Sequence, residues 1–174
     1  MKDIATEFLQ TAIKRFQTYK DLGDKTFAQL QEADFHFQPN EASNSIAVII
    51  QHMSGNMLSR WTNFLTEDGE KGWRKRDEEF ETNTYNKARL TESWEKGWAC
   101  LLDALNALTE GDLLKTIHIR GEGQSVTDAI HRQLAHYAYH VGQIVYVGRL
   151  TRDQQWKSLS IPKGQSEQYN QGMK

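Results

Sequence analysis

The chain has 174 residues, enough for one domain with a real core, and its 38% hydrophobic and 25% charged residues are ordinary for a water-facing protein. Lys plus Arg number 21 against 23 for Asp plus Glu, and this net charge of -2 lacks the basic excess of a general nucleic-acid binder. No apolar run reaches membrane-spanning length, the N-terminus lacks a basic-then-apolar leader, and a single cysteine forms no internal disulfide, so a reducing cytoplasm is the expected home.

The first element is a helix over residues 3 to 22, with Ile4, Phe8, Ala12, Phe16 and Tyr19 on its buried face and Gly23 as its stop. Thr26 to Pro39 is a connector, with a short helical turn near Phe27 and an extended run into Pro39. His36 falls in that connector as a loop residue. Asn40 to Asn44 supply caps for a second helix that ends near Glu67-Asp68-Gly69. Its stripe is Ile46, Ile50, Met53, Met57, Trp61 and Phe64. At about 100° per residue, His52 lies about 120° from the centre of that stripe, on a flank shared with Ser45, Asn56, Ser59 and Asn63.

Gly69 to Lys87 is charged and aromatic with no clear period, so it is expected as a long ordered loop, serving either as a lid or as a solvated segment anchored by Trp73 and Phe80. Arg74 and Arg76 are candidates for holding an anionic group on a substrate, or for pairing with Asp77, Glu78 and Glu79. Thr91 caps a third helix running to about Leu108, with a strong stripe of Trp94, Trp98, Leu101, Leu102, Leu105 and Leu108. Cys100 sits among these core residues as a small buried hydrophobe. Gly111-Asp112 breaks the helix. Lys115 to Arg120 then alternates polar and apolar before Gly121-Glu-Gly123, a short hairpin in which His118 faces solvent.

The last long helix spans Ser125 to Leu150. Ser125 is its N-cap, assisted by Asp128, and Ile130, Leu134, Tyr137, Val141 and Ile144 form its stripe. His136 and His140 are four apart and lie about 80–120° to one side of that stripe, at the edge of the core. Gln133 and Gln143 share their flank, whereas His131 falls on the other. If this helix packs beside the second, His52, His136 and His140 meet at the edge of a common core, and three neutral imidazoles with open positions suit a divalent metal such as zinc or nickel. The competing reading is three histidines that only satisfy hydrogen bonds. Asn56 and Gln143 are the candidates to orient the ligands. Beyond this helix a polar tail is anchored by Trp156, Leu159 and Ile161 and frays from Tyr169.

Ile49-Ile-Gln-His52-Met and His136-Tyr-Ala-Tyr-His140-Val-Gly-Gln143-Ile resemble the DinB/YfiT-like superfamily of small bacterial four-helix proteins. The resemblance covers nearly the whole chain. The Gly69 to Phe80 loop and the Ser160 to Ser166 tail look closest to a subfamily of about this length with no settled function. The resemblance implies an all-α, four-helix up-and-down-type bundle occupying residues 1 to 174. It also implies one divalent ion on His52, His136 and His140, homodimers, and metal-dependent thiol chemistry. The expected function is therefore a thiol S-transferase-like enzyme using a small-molecule substrate and a low-molecular-weight thiol, with no nucleic acid and no membrane as partner. A metal-dependent small-molecule hydrolase and a non-catalytic metal-binding stress protein are the alternatives. No glutamate on the ligand flanks stands ready as a general base, which disfavours hydrolysis.

Overall fold

A computed structural model describes residues 3–172. Four long helices, α1 (Ile4–Phe27), α2 (Ile46–Trp61), α3 (Lys87–Asn106) and α4 (Val126–Arg152), contribute to one continuous core, and a short α5 (Ser166–Gly172) lies on the surface. Between α3 and α4 is an antiparallel hairpin of β1 (Thr116–Ile119) and β2 (Glu122–Ser125), in which Ile117 faces Gln124 and His118 faces Gly123. The most extensive helix contacts are α2 with α3 and α1 with α4, and α2 also meets α4. No helix among the described residues is long and apolar enough to cross a membrane.

Each of the four long helices begins on a side-chain cap. Asp3, Ser45, Asn86 and Ser125 accept from the backbone N–H of Ala5, Val48, Arg89 and Asp128 respectively. Two helix ends differ from expectation here. The cap of α3 is Asn86 rather than Thr91, because the Asn86 amide oxygen reaches Arg89 N at 2.9 Å and starts the helix more than a turn earlier. α1 does not stop at Gly23 but continues to Phe27. Gly23 is instead a packing site. The Trp94 indole lies so close that a Cβ there would be 2.3 Å from Trp94 Cζ2, and Asp24 Oδ1 accepts from Trp94 Nε1 at 2.8 Å.

α2 ends at Trp61, short of Glu67 to Gly69, because Thr62 is extended and Asn63 takes a left-handed φ of 49°. The chain after it is tied down through Asp68, whose carboxylate accepts from the backbone N–H groups of Glu70, Gly121 and Arg120. These three bonds lower its pKa to about 2 and pin the hairpin tip to the α2 exit. Arg120 and Gly121 both have positive φ, as a tight two-residue hairpin turn requires. His118 faces solvent as the alternation predicts. Gly69 to Asn86 is irregular, apart from a 3₁₀ turn at Asp77–Phe80, and Lys87 already belongs to α3. At the other end of the chain Tyr169 does not fray away from structure but lies within α5.

The core is aromatic at its centre. Trp94, Trp98, Tyr137, Phe16 and Phe35 are fully buried, and Trp98 sits edge-on to both Trp94 and Tyr137. Cys100 is only half-buried, at the edge of this core, with its thiol 3.6 Å from the Thr62 hydroxyl.

Candidate metal centre

The helical flanks bring the three histidines together. His52 comes from the middle of α2, and His136 and His140 come from successive turns of α4. His52 and His140 are buried, and His136 is half-buried. Their ring nitrogens converge, with His136 Nε2 lying 3.0 Å from His140 Nε2 and 3.4 Å from His52 Nε2. Two nitrogens at 2.0–2.1 Å from a tetrahedral zinc ion are separated by about 3.3 Å, so the spacing fits the edges of such a site. The three residues could hold a metal ion.

The far side of two rings fixes which nitrogen is free. His52 Nδ1 is 3.0 Å from Glu79 Oε2, and a carboxylate only accepts, so this nitrogen carries the proton. His140 Nδ1 donates to Gln143 Oε1 at 2.8 Å. Both Nε2 lone pairs therefore point inward. Without a metal ion, an Nε2–H on His136 can donate to these lone pairs, and backing acceptors of this kind orient the histidines of metal sites. Burial, followed by the neighbouring His140 and His52, pushes the His136 pKa down to about 3. Burial also lowers His140. The His136 ring thus stays neutral, and available as a ligand, well below neutral pH.

Glu79 is held as firmly as the ligand it supports. Arg74 donates to it through Nε at 2.7 Å and Nη2 at 2.8 Å, a two-pronged pair in which both side chains are buried. Burial pushes the Glu79 carboxyl up, but the hydrogen bonds from Arg74 and His52 outweigh it and keep the group below its ordinary value. Space for this carboxylate is made by Gly55, where a Cβ would lie 2.3 Å from Glu79 Oε1. The same turn delivers Phe80, whose ring lies 4.6 Å from that of His52, and Arg76 caps Phe80 at 5.1 Å.

The histidines open on a cavity of about 530 Å³ between α2, α4, the loop and the hairpin tip. Asn56 and Gln143 line it, and Asn56 Oδ1 is engaged by the Tyr137 hydroxyl at 2.9 Å, which in turn accepts from Trp61 Nε1. The two arginines proposed for substrate part company. Arg74 is committed to Glu79, whereas Arg76 is half-exposed at the mouth with Asp77 at 3.6 Å. Tyr139, on an exposed part of α4, also lines the mouth and stands edge-on to His140. His36 is tied to the Tyr85 carbonyl at 2.9 Å and His131 packs on Phe8, so neither joins the centre.

Sequence reasoning missed the role of Glu79, whose partner lies 27 residues away on another element. It also missed Arg60, Arg120 and Arg132 in the cavity wall. Two of these had a readable signal, since Arg60 is eight residues beyond His52 and Arg132 four before His136, both in the register of the ligands.

Fold and site together define a mainly helical protein with a convergent three-histidine centre that opens on a polar cavity. The chain belongs to the family described as "Protein of unknown function (DUF1572)", whose model matches residues 3–165. Among curated proteins, nothing matches it.

Proposed function

We propose that this chain is a DinB/YfiT-like four-helix protein that holds one divalent metal ion, zinc or nickel, on His52, His136 and His140. We further propose that it acts as a thiol S-transferase-like enzyme on a small molecule. The observation that carries the reading is the convergence of three Nε2 atoms, two of them with the opposite ring nitrogen anchored, at the wall of an open cavity. A divalent ion bound there would supply Lewis acidity, lowering the pKa of a thiol so that it is presented as the nucleophile.

The rest of the chemistry falls to the protein. Glu79 and Gln143 hold their rings so that Nε2 faces the cavity. Phe80 covers one face of His52 and keeps water from it. No carboxylate of the described residues lines the cavity, and Glu79, behind His52, is already bound by Arg74 and His52. A hydrolase would need a free proton acceptor beside its water, whereas a thiol made acidic by the ion needs none. That difference favours thiol transfer. The exposed α4 residues Tyr139, Tyr146 and Leu150 support pairing of two copies through this helix, which light scattering would test.

The experiment is elemental analysis of untagged protein beside the His136→Ala, His140→Ala double variant, followed by a screen of low-molecular-weight thiols against electrophiles. The expected result is near-stoichiometric metal that vanishes in the variant, with metal-dependent loss of free thiol. A wild type that takes up neither zinc, nickel nor manganese would overturn the reading.

A further inference from the structure

The cavity does not end at the histidines. His52, Asn56 and Arg60 recur every four residues on α2, and Arg132, His136 and His140 do so on α4. The two helices run past each other in opposite senses. Ile49 shares a cleft with Val147 near one end, while Trp61 reaches Tyr137 toward the other. Arg60 and Arg132 therefore lie on the hairpin side of the histidines. Arg60 is fixed there by the Gly69 carbonyl and by Glu70, and Arg120 from the hairpin tip shares Glu70 at 3.1 Å.

The electrostatics of this end are one-sided. Arg60, Arg74, Arg76, Arg120 and Arg132 line the cavity, and no carboxylate of the described residues does. Glu70, Glu79 and Asp77 pair with four of the five guanidinium groups from outside the lining, leaving two positive charges uncompensated. Arg132 makes no hydrogen bond or ion pair with any described residue.

A second observation is independent of charge. Gln133 lines the cavity with only 3% of its surface exposed, yet its buried Oε1 has no hydrogen-bond partner. Arg60 Nε is likewise buried without one. Buried polar groups are nearly always satisfied, so two orphans beside one cavity mark a place where a ligand completes the bonding.

We propose that the hairpin end of the cavity, formed by Arg60, Arg120, Arg132 and Gln133, is a subsite for an oxyanion, carboxylate or phosphate, with an N–H or O–H group beside it. The spacing along the helices places this subsite one to two turns, about 6–12 Å, from the histidine centre. It deepens the thiol-transferase reading and rests on it only for what occupies the far end: either the thiol or its acceptor carries the anion, at a distance from the reacting atom. A substrate whose anion adjoins its reacting atom cannot reach both ends.

The test uses the full chain freed of metal by chelation, titrated calorimetrically at low ionic strength with succinate and, separately, with inorganic phosphate. Saturable binding of at least one is expected, and the tighter of the two tells carboxylate from phosphate. Arg132→Ala and Arg120→Asn should each weaken it about tenfold or more, as loss of a charge-assisted contact does, asparagine being chosen because it tolerates the positive φ at that turn. Gln133→Glu should abolish it by placing a carboxylate among the arginines, a change that also pairs charge and so favours folding. Arg149→Ala, on an exposed part of α4, should leave it unchanged. Binding should survive in the His136→Ala, His140→Ala protein, so the subsite and the metal reading fail separately. The absence of saturable binding, or equal affinity in wild type, Arg132→Ala and Gln133→Glu, overturns the subsite.

Discussion

Gly55→Ala sets two effects of opposite sign against each other. Gly55 lies in the interior of α2, where alanine is intrinsically favoured by about 0.8–1 kcal/mol. If nothing pressed on it, the variant would be more stable and the metal centre untouched. But the new methyl would lie 2.3 Å from Glu79 Oε1 and 2.8 Å from its Cδ, well inside contact. A free glutamate would swing away at little cost. This one is held by Arg74 through two bonds and by His52 through a third, so making room breaks at least one of them.

Removing one partner of a buried pair costs about 3–5 kcal/mol. Displacement is gentler than deletion, and set against the helix gain it gives a net loss of about 1–3 kcal/mol. On the proposed reading, metal affinity should fall as well. Loss of an acceptor behind a ligating histidine lowers metal affinity by about 10–100-fold. The assay is urea denaturation of metal-free protein together with a zinc competition titration against a chromophoric chelator. Glu79→Gln is the companion: it fits beneath Gly55 and keeps one acceptor but gives up the charge, so it should weaken zinc without the steric strain. A Gly55→Ala protein that gains stability and binds zinc as tightly as wild type would refute the argument that Glu79 is held against α2 to orient His52.

Other outcomes follow from the same geometry. In metal-free protein, His136 is held neutral with a pKa near 3 against an ordinary 6.5, so on acidification the unfolded chain takes up the proton first; stability is unaffected above about pH 6.5 and falls below it, by at most about 1.4 kcal/mol per pH unit for each such histidine, as denaturation midpoints from pH 7 to 4 would show. His136→Ala, His140→Ala should flatten that slope as well as abolish metal uptake. Tyr137→Phe leaves the buried Trp61 Nε1 without its acceptor and Asn56 without its donor, and should cost about 1–3 kcal/mol in chemical denaturation while metal stoichiometry stays at the wild-type value. Gly23→Ala drives a methyl into the Trp94 ring and should destabilise by about 1–3 kcal/mol in chemical denaturation.

What the sequence made legible was whatever repeats along one helix. His52, His136 and His140 each sit on the flank of an apolar stripe, and a flank is fixed by angle alone, so their meeting needed only that α2 and α4 touch. The hairpin was readable because Ile117 and Ile119 alternate with Thr116 and His118. What stayed hidden depends on through-space partners. Gly23 reads as a helix stop until Trp94 is placed against it, and Asn86 caps α3 because its own side chain reaches Arg89, in a run with no apolar period to announce it. Glu79 belongs to a loop without period, and its neighbours in sequence suggested only that some acid would pair with some arginine.

That ambiguity between Arg74 and Arg76 is resolved by burial, and the resolution bears on function. Two arginines, two residues apart in an irregular loop, are equivalent to any sequence-based reading. In the structure, Arg74 is sunk against α2 and neutralises Glu79, so it acts through His52 and has no charge to spare for a ligand. Arg76 stacks on Phe80 at the mouth, where its ion-pair partner, Asp77, is itself fully exposed. A surface pair of this kind contributes little and is easily exchanged for a better anion. The loop thus performs two tasks with one residue type. Its buried arginine holds the histidine centre in order, and its exposed one leaves a charge at the entrance, which is the arrangement expected if a negatively charged molecule must pass Arg76 to reach the histidines.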